Sequence, residues 1–203
     1  MKTSVKLYHI NNFDKIVALV FFIFCIVFLF YLALPNPEYP SKVTDSLQSN
    51  EPADVETVVR KGFYTNSLRQ ETINHYEGEF SFIKNIAVPT YRLNYPPEES
   101  QTIIRDQTRS TYLEEIVHPF RETLFVNGFE PKLAKDEINI DGVHWNSKVI
   151  VVYVPSTLSI RFAIGLTSIF VMIVLYLEYR KFIIELITLS KSIRIVHFNR
   201  TNL

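Results

Sequence analysis

The sequence predicts an α+β fold: two transmembrane helices flanking a small extracytoplasmic domain of helices packed on a mainly antiparallel sheet. Three observations carry this reading. Two charge-free apolar stretches, residues 16–34 and 162–177, lie near the two ends of the chain. Between them, residues 55–155 mix helix-like and strand-like apolar spacing. Within that segment, Asp141-Gly142 separates two short strand-like runs, and Asp-Gly is a preferred two-residue hairpin turn.

The first stretch, IVALVFFIFCIVFLFYLAL, has 19 residues and no charge. As a helix it reaches about 28 Å, close to a bilayer core of about 30 Å. It is longer than the apolar region of a typical cleaved signal peptide, and no small-x-small cleavage site follows it, so residues 16–34 read as an uncleaved signal anchor. Cys25, the one cysteine of the 203-residue chain, acts there as a small apolar side chain. A single cysteine also excludes an intrachain disulfide framework and a thiolate metal cluster. The second span is predicted over 157–177. Arg161 at its start is expected to reach the headgroups as an anchor.

Flanking charge sets the orientation. Residues 1–15 carry three lysines against one aspartate, and residues 178–203 carry five basic residues against two acidic ones. The intervening 35–161 holds 13 basic and 18 acidic residues. Positive ends stay in the cytoplasm, so both termini are expected there and residues 35–156 outside, in an integral cell-membrane protein. The whole chain has 21 basic and 21 acidic residues, a balance that argues against a nucleic-acid binder.

Residues 35–54 contain four prolines among many polar residues and read as a Pro-rich linker, a slack tether from the first span. The domain proper is expected over 55–155. Val55, Val58 and Val59 predict a short opening helix. Leu68, Ile73, Tyr76, Phe80 and Ile83 give a helical stripe interrupted by Gly78. A strand over 86–93 is limited to a sheet edge or a strand start by Pro89. Pro96-Pro97-Glu98-Glu99 is a helix start, with Ile103 and Ile104 facing inward. Leu113, Ile116, Val117, Phe120 and Leu124 follow i, i+3, i+4, i+7, i+11 spacing and predict a helix split or kinked at Pro119, with Asn127-Gly128 as its left-handed stop. Residues 137–140 and 143–145 form the Asp-Gly hairpin. Val149 to Val154, apolar on both faces, reads as a central buried strand. Its end lies within a few residues of the second span, which ties the domain closely to that span. The tail, 178–203, is expected as an amphipathic helical extension on the inner headgroups, with a partner-helix or coiled-coil contact as its alternative.

Motifs for chemistry are sparse. Glu115-Ile116-Val117-His118 matches E-x-x-H, but a helical di-iron site needs two copies and further glutamates. His144 alternates with Val143 and Trp145 as a sheet histidine. Adjacent Glu114 and Glu115 diverge by about 100° on a helix and do not form an acid/base pair. No G-x-S-x-G, HExxH, P-loop or GxGxxG occurs. No catalytic residue, cofactor or metal ligand is assigned, and the protein is expected not to be an enzyme. The segment around 91–129 concentrates aromatics and arginines, which protein interfaces favour. Arg105, Arg109, Tyr112 and Arg121 are the candidate interaction surface. The resulting expectation is a non-enzymatic assembly or accessory protein of the cell envelope, partnered by the lipid bilayer and by an envelope protein or itself. The alternative is a sensor or signal-coupling protein that transmits ligand binding in the outer domain through the second span.

Overall fold

The computed structural model describes residues 12–104 and 109–201. It is a mixed α+β structure with an antiparallel main sheet and two long apolar helices, α1 (Asn12–Ala33) and α4 (Leu158–Thr201). Both are long and apolar enough to cross a membrane. The chain divides into two compact units. One contains the helix bodies, up to Leu29 and from Phe162; the other is Phe30–Arg161.

In the helical unit, Asp14 and Arg180 form an ion pair of 2.8 Å between α1 and α4. Phe21, Phe24 and Phe28 stack along α1. The helix α4 runs 44 residues without interruption, so the expected second span and tail are one element. Side chains of most of the tail, including every one beyond Leu189, lie outside the described residues. Of its expected apolar face, Phe182 and Leu186 are described and are exposed.

The second unit is built on six antiparallel strands. In chain order these are β1 (Leu47–Gln48), β2 (Arg60–Thr65), β5 (Tyr91–Tyr95), β6 (Tyr112–Val117), β7 (Thr123–Phe129) and β10 (Ser147–Val154). Two small hairpins lie beside them: β3 (Phe82–Ile83) with β4 (Ile86–Ala87), and β8 (Ile138–Ile140) with β9 (Val143–Trp145). The order in the main sheet is β1-β2-β10-β7-β6-β5. Val149 to Val154 therefore lies in a central strand, as its two-sided apolarity predicts. The predicted Asp141-Gly142 turn joins β8 to β9 with both residues at positive φ, 49° and 78°, as a type I′ turn requires.

The helix α2 (Arg69–Phe80) buries Ile73, Tyr76 and Phe80 of the stripe read from the sequence, whereas Leu68 lies exposed before it and Ile83 falls in β3. Glu71 reaches back to accept the Leu68 N–H at 3.0 Å and closes its first turn. That face packs on Tyr112, Ile116, Leu124, Val126, Val149 and Val151 in the main core. On the opposite sheet face, a 3-10 turn (Pro97–Glu99) and the short α3 (Ser100–Ile103) bring Ile103 and Ile104 onto Leu113 and Ile150. The Pro-Glu helix start and the inward isoleucines follow the sequence reading.

Several expectations are overturned. The helix expected over Leu113 to Leu124 is the β6–β7 hairpin instead. Tyr112, Leu113, Glu114 and Ile116 are all buried, so this strand has two covered faces and loses period-two alternation. Glu114 is tolerated there because Arg69 and Arg92 hold it at 2.7 and 3.0 Å. Asn127-Gly128 ends no helix but lies inside β7. Val55 to Val59 form turns before β2 rather than a helix. Residues 35–54 are not slack: Val43 is in the core, Tyr39 donates its hydroxyl to the Val151 carbonyl at 2.9 Å, and Leu47–Gln48 pair with β2. Pro-rich composition forbids a regular element, but it does not forbid packing.

Candidate functional site

The hairpin turn between β6 and β7 carries His118-Pro119-Phe120-Arg121-Glu122. The Arg121 N–H closes it on the His118 carbonyl at 3.0 Å. Proline at the second position and a left-handed third residue, Phe120 with φ 62°, describe a type II turn. A phenylalanine at that φ is sterically disfavoured where glycine or asparagine would fit. This tight bend aims three polar side chains inward.

Glu122 is the hub, and its side chain is 0% exposed. His118 Nδ1 lies 2.8 Å from Oε1, Arg121 Nη2 3.0 Å from Oε1, and Arg161 Nη2 2.9 Å from Oε2. Burial opposes ionisation of Glu122. The hydrogen bonds from His118 and Arg121 and the charges of Arg121 and Arg161 outweigh it, so the carboxyl is held below its ordinary range. His118 stacks face to face on Phe80 of α2, with ring centroids 4.1 Å apart. Burial and the nearby Glu122 push Tyr153 up to about 12.

The two guanidiniums then reach the chain ends of the unit. Arg121 donates to the carbonyls of Tyr31 at 2.6 Å and Pro35 at 2.8 Å. Arg161 donates to the Leu34 carbonyl at 2.9 Å and to Ser156 Oγ at 2.7 Å. Tyr31 in turn donates its hydroxyl to Pro119 O at 3.0 Å. The last turn of α1 has unsatisfied carbonyls and no basic residue of its own. Arg121 donates to one of these carbonyls, at Tyr31, and the two guanidiniums bring their charge to the chain just beyond the helix, at Leu34 and Pro35. A helix C-terminus carries about half a negative charge, which partly balances two guanidiniums facing one carboxylate. Chemically the cluster is a clasp, because its charges are spent on one another and on carbonyls and its side chains are sealed from solvent.

Arg161 is therefore not a headgroup anchor: it is 2% exposed and ion-paired. The expected interaction surface is not one surface either. Arg105 lies outside the described residues. Arg109 is exposed and pairs with Asp136 at 3.1 Å. Tyr112 is buried beneath the Arg69 guanidinium, and Arg121 is in the clasp. The residues that sequence reasoning missed are Glu122 and Arg161 as a pair. Their separation along the chain hid them.

Exposed apolar surface appears elsewhere. Cross-strand register places Tyr91, Val117, Thr123 and Val154 in one row and Leu93, Glu115, Phe125 and Val152 in the next. The following row, with Leu113 and Ile150, is covered by Ile103 and Ile104. Among the described residues Tyr91, Leu93 and Val154 stay 40–49% exposed, and β5 ends the sheet with one edge unpaired. Glu115 within this band is satisfied by the hydroxyls of Tyr95 and Thr123. That hydrogen bond pushes the Tyr95 phenol up to about 12.

A polar cleft of about 410 Å³ is lined by Glu51 and Asp54 ahead of β2, by Tyr64, Phe129 and Lys148 of the main sheet, and by residues 136–140. Lys148 bridges Glu51 at 2.9 Å and Asp54 at 2.7 Å there. Arg109 and Asp136 pair in the same cleft at 3.1 Å.

Comparison of the chain with protein-family models, with curated proteins and with solved structures gives no match.

Proposed function

We propose that this is a two-pass membrane protein whose outer α+β domain performs non-enzymatic assembly in the cell envelope. In this reading α1 and α4 cross the bilayer, both termini are cytoplasmic, and the sheet offers its half-covered face and β5 edge to a protein partner. The observation that carries it is the apolar band of Tyr91, Leu93 and Val154 beside an unpaired strand edge. An open edge with apolar side chains on alternate residues is the geometry that strand addition uses.

The test is site-specific photo-crosslinking of the full chain in its native membrane. A photoreactive residue at Leu93 is compared with one at Val58, which is exposed on a turn remote from the band in sequence. A discrete adduct from position 93 alone, to another protein or to a second copy, supports the reading. Equal labelling at both positions, or none at 93, contradicts it.

A specific observation also favours the coupling alternative. The clasp joins the β6–β7 turn to the last turn of α1 and the first turn of α4, so strain at the sheet reaches both helix ends through three side chains. Weakening the clasp should then alter a downstream response without abolishing partner binding.

A further inference from the structure

We infer that α4 carries a self-association stripe through which two copies of this chain pair as a parallel coiled coil. Leu175, Tyr179, Phe182, Leu186 and Leu189 follow each other at alternating steps of four and three. The sequence continues that spacing through Ile193 and Val196. This is the a/d pattern of a coiled-coil seam, sustained for about three heptads, near the length at which the pattern becomes meaningful.

The stripe is uncovered. Leu175, Tyr179, Phe182, Leu186 and Leu189 are 45–65% exposed. The helix α1 does not take them, because the α1 contact is made from another side. Arg180 reaches Asp14, and one residue step on a helix turns the side chain by about 100° away from Tyr179.

Length distinguishes a second copy from a lipid surface as the occupant. From Leu158 to Arg180 the helix already spans about 33 Å, enough for a hydrocarbon core of about 30 Å. A further helix of similar length follows to Thr201 without a break. Lying on the headgroups would require a sharp bend, and sharp bends need proline, glycine or an interruption of the ladder. No proline or glycine follows Gly165. Leu175 and Tyr179 thus lie within the spanning part, and the second half projects past the bilayer with Phe182, Leu186 and Leu189 exposed as an apolar continuation that water must not meet. Glu178 and Glu185 precede the stripe at the g positions, where an antiparallel pair would oppose like charges and a parallel pair separates them. Two copies inserted the same way are parallel in any case. This direction rests on the membrane reading above, whereas the sheet face plays no part in it.

The test uses the full chain in membranes with Cys25→Ser as background. Single cysteines are placed at Leu186→Cys and Leu189→Cys in the stripe and at Lys181→Cys and Ile184→Cys off it. Mild oxidation should give several-fold more covalent dimer from 186 and 189 than from 181 and 184. Equal yields around the helix, no dimer at any position, or dimers favoured off the stripe would overturn the inference. As a second arm, Leu186→Glu with Leu189→Glu alters only exposed side chains and should convert dimers to monomers in single-molecule photobleaching. Persistence of dimers would also overturn it. Alkaline carbonate extraction of the same samples reports membrane insertion separately, so failure of the spanning reading and failure of the pairing are distinguishable.

Discussion

Glu122 and Arg161 meet at 2.9 Å with both side chains shut off from solvent, one at the head of β7 and the other in the first turn of α4. A buried charge is tolerated only when paired and hydrogen-bonded, and removing one partner leaves the other uncompensated. Glu122→Ala would strand two guanidiniums and should cost about 3–5 kcal/mol. Equilibrium unfolding of the full chain in detergent measures it; a loss under about 1 kcal/mol would show that the pair contributes little.

Arg121 acts through geometry as well as charge. It serves Glu122 and the carbonyls of Tyr31 and Pro35 at once, over the Tyr31 ring. A lysine keeps the charge but has no planar fork to span these acceptors. Arg121→Lys is expected to destabilise by about 1–3 kcal/mol through carbonyls left unsatisfied. Thermal unfolding compared with Arg109→Lys, whose side chain is exposed, checks it: the Arg109 change should be nearly silent.

Opposite pH limbs should report two clusters. The Glu122 carboxyl sits below its ordinary value of 4.5 in the folded state. Its contribution is therefore complete above that value and is lost as pH falls through the folded one. Lys148 is shifted up from 10.5: burial opposes its charge, but hydrogen bonds to Asp54 and Glu51 outweigh it. Its contribution is complete below 10.5 and is lost as pH rises through the folded value. Glu122→Gln should flatten the acid limb of stability against pH, and Lys148→Met the alkaline limb. A limb left unchanged by its substitution would contradict the assignment.

Gly128 is pressed against Tyr112. A Cβ at Gly128 would sit 2.0 Å from the ring Cζ, far inside contact distance. Gly128→Ala should cost about 1–3 kcal/mol by overpacking β6 against β7. Adding Tyr112→Ala should recover part of that cost, measured as non-additivity of the two changes. Strict additivity would place the strain elsewhere.

What the sequence made legible was local or strongly periodic. The α2 stripe, the Asp141-Gly142 turn, the central Val149–Val154 strand and the two apolar helices rest on spacing or turn chemistry that neighbouring residues suffice to specify. The β6–β7 hairpin was hidden because a strand covered on both faces loses alternation, and Leu113, Ile116, Val117, Phe120 and Leu124 then fit a helical spacing by coincidence. The strand β2 opens Arg60-Lys61-Gly62, where strands disfavour the glycine and, more weakly, the lysine, and its place beside the central β10 is set by tertiary pairing. The clasp was illegible for a third reason. Arg121 read as an interface arginine beside a helix kink at Pro119, Glu122 carried no pattern of its own, and only the fold brings Arg161 to them. Tyr112, chosen for an interface, is a core residue whose ring stacks beneath Arg69.

One buried carboxylate, Glu122, couples the hairpin turn to the first turn of α4. A double-mutant cycle on Glu122→Ala and Arg161→Ala, read by equilibrium unfolding of the full chain, tests it most directly. A coupling of about 1–3 kcal/mol is expected, with the double variant less destabilised than the sum of the singles. Additivity within about 0.5 kcal/mol would mean that the two residues stabilise the protein independently, and the clasp would not exist as a unit.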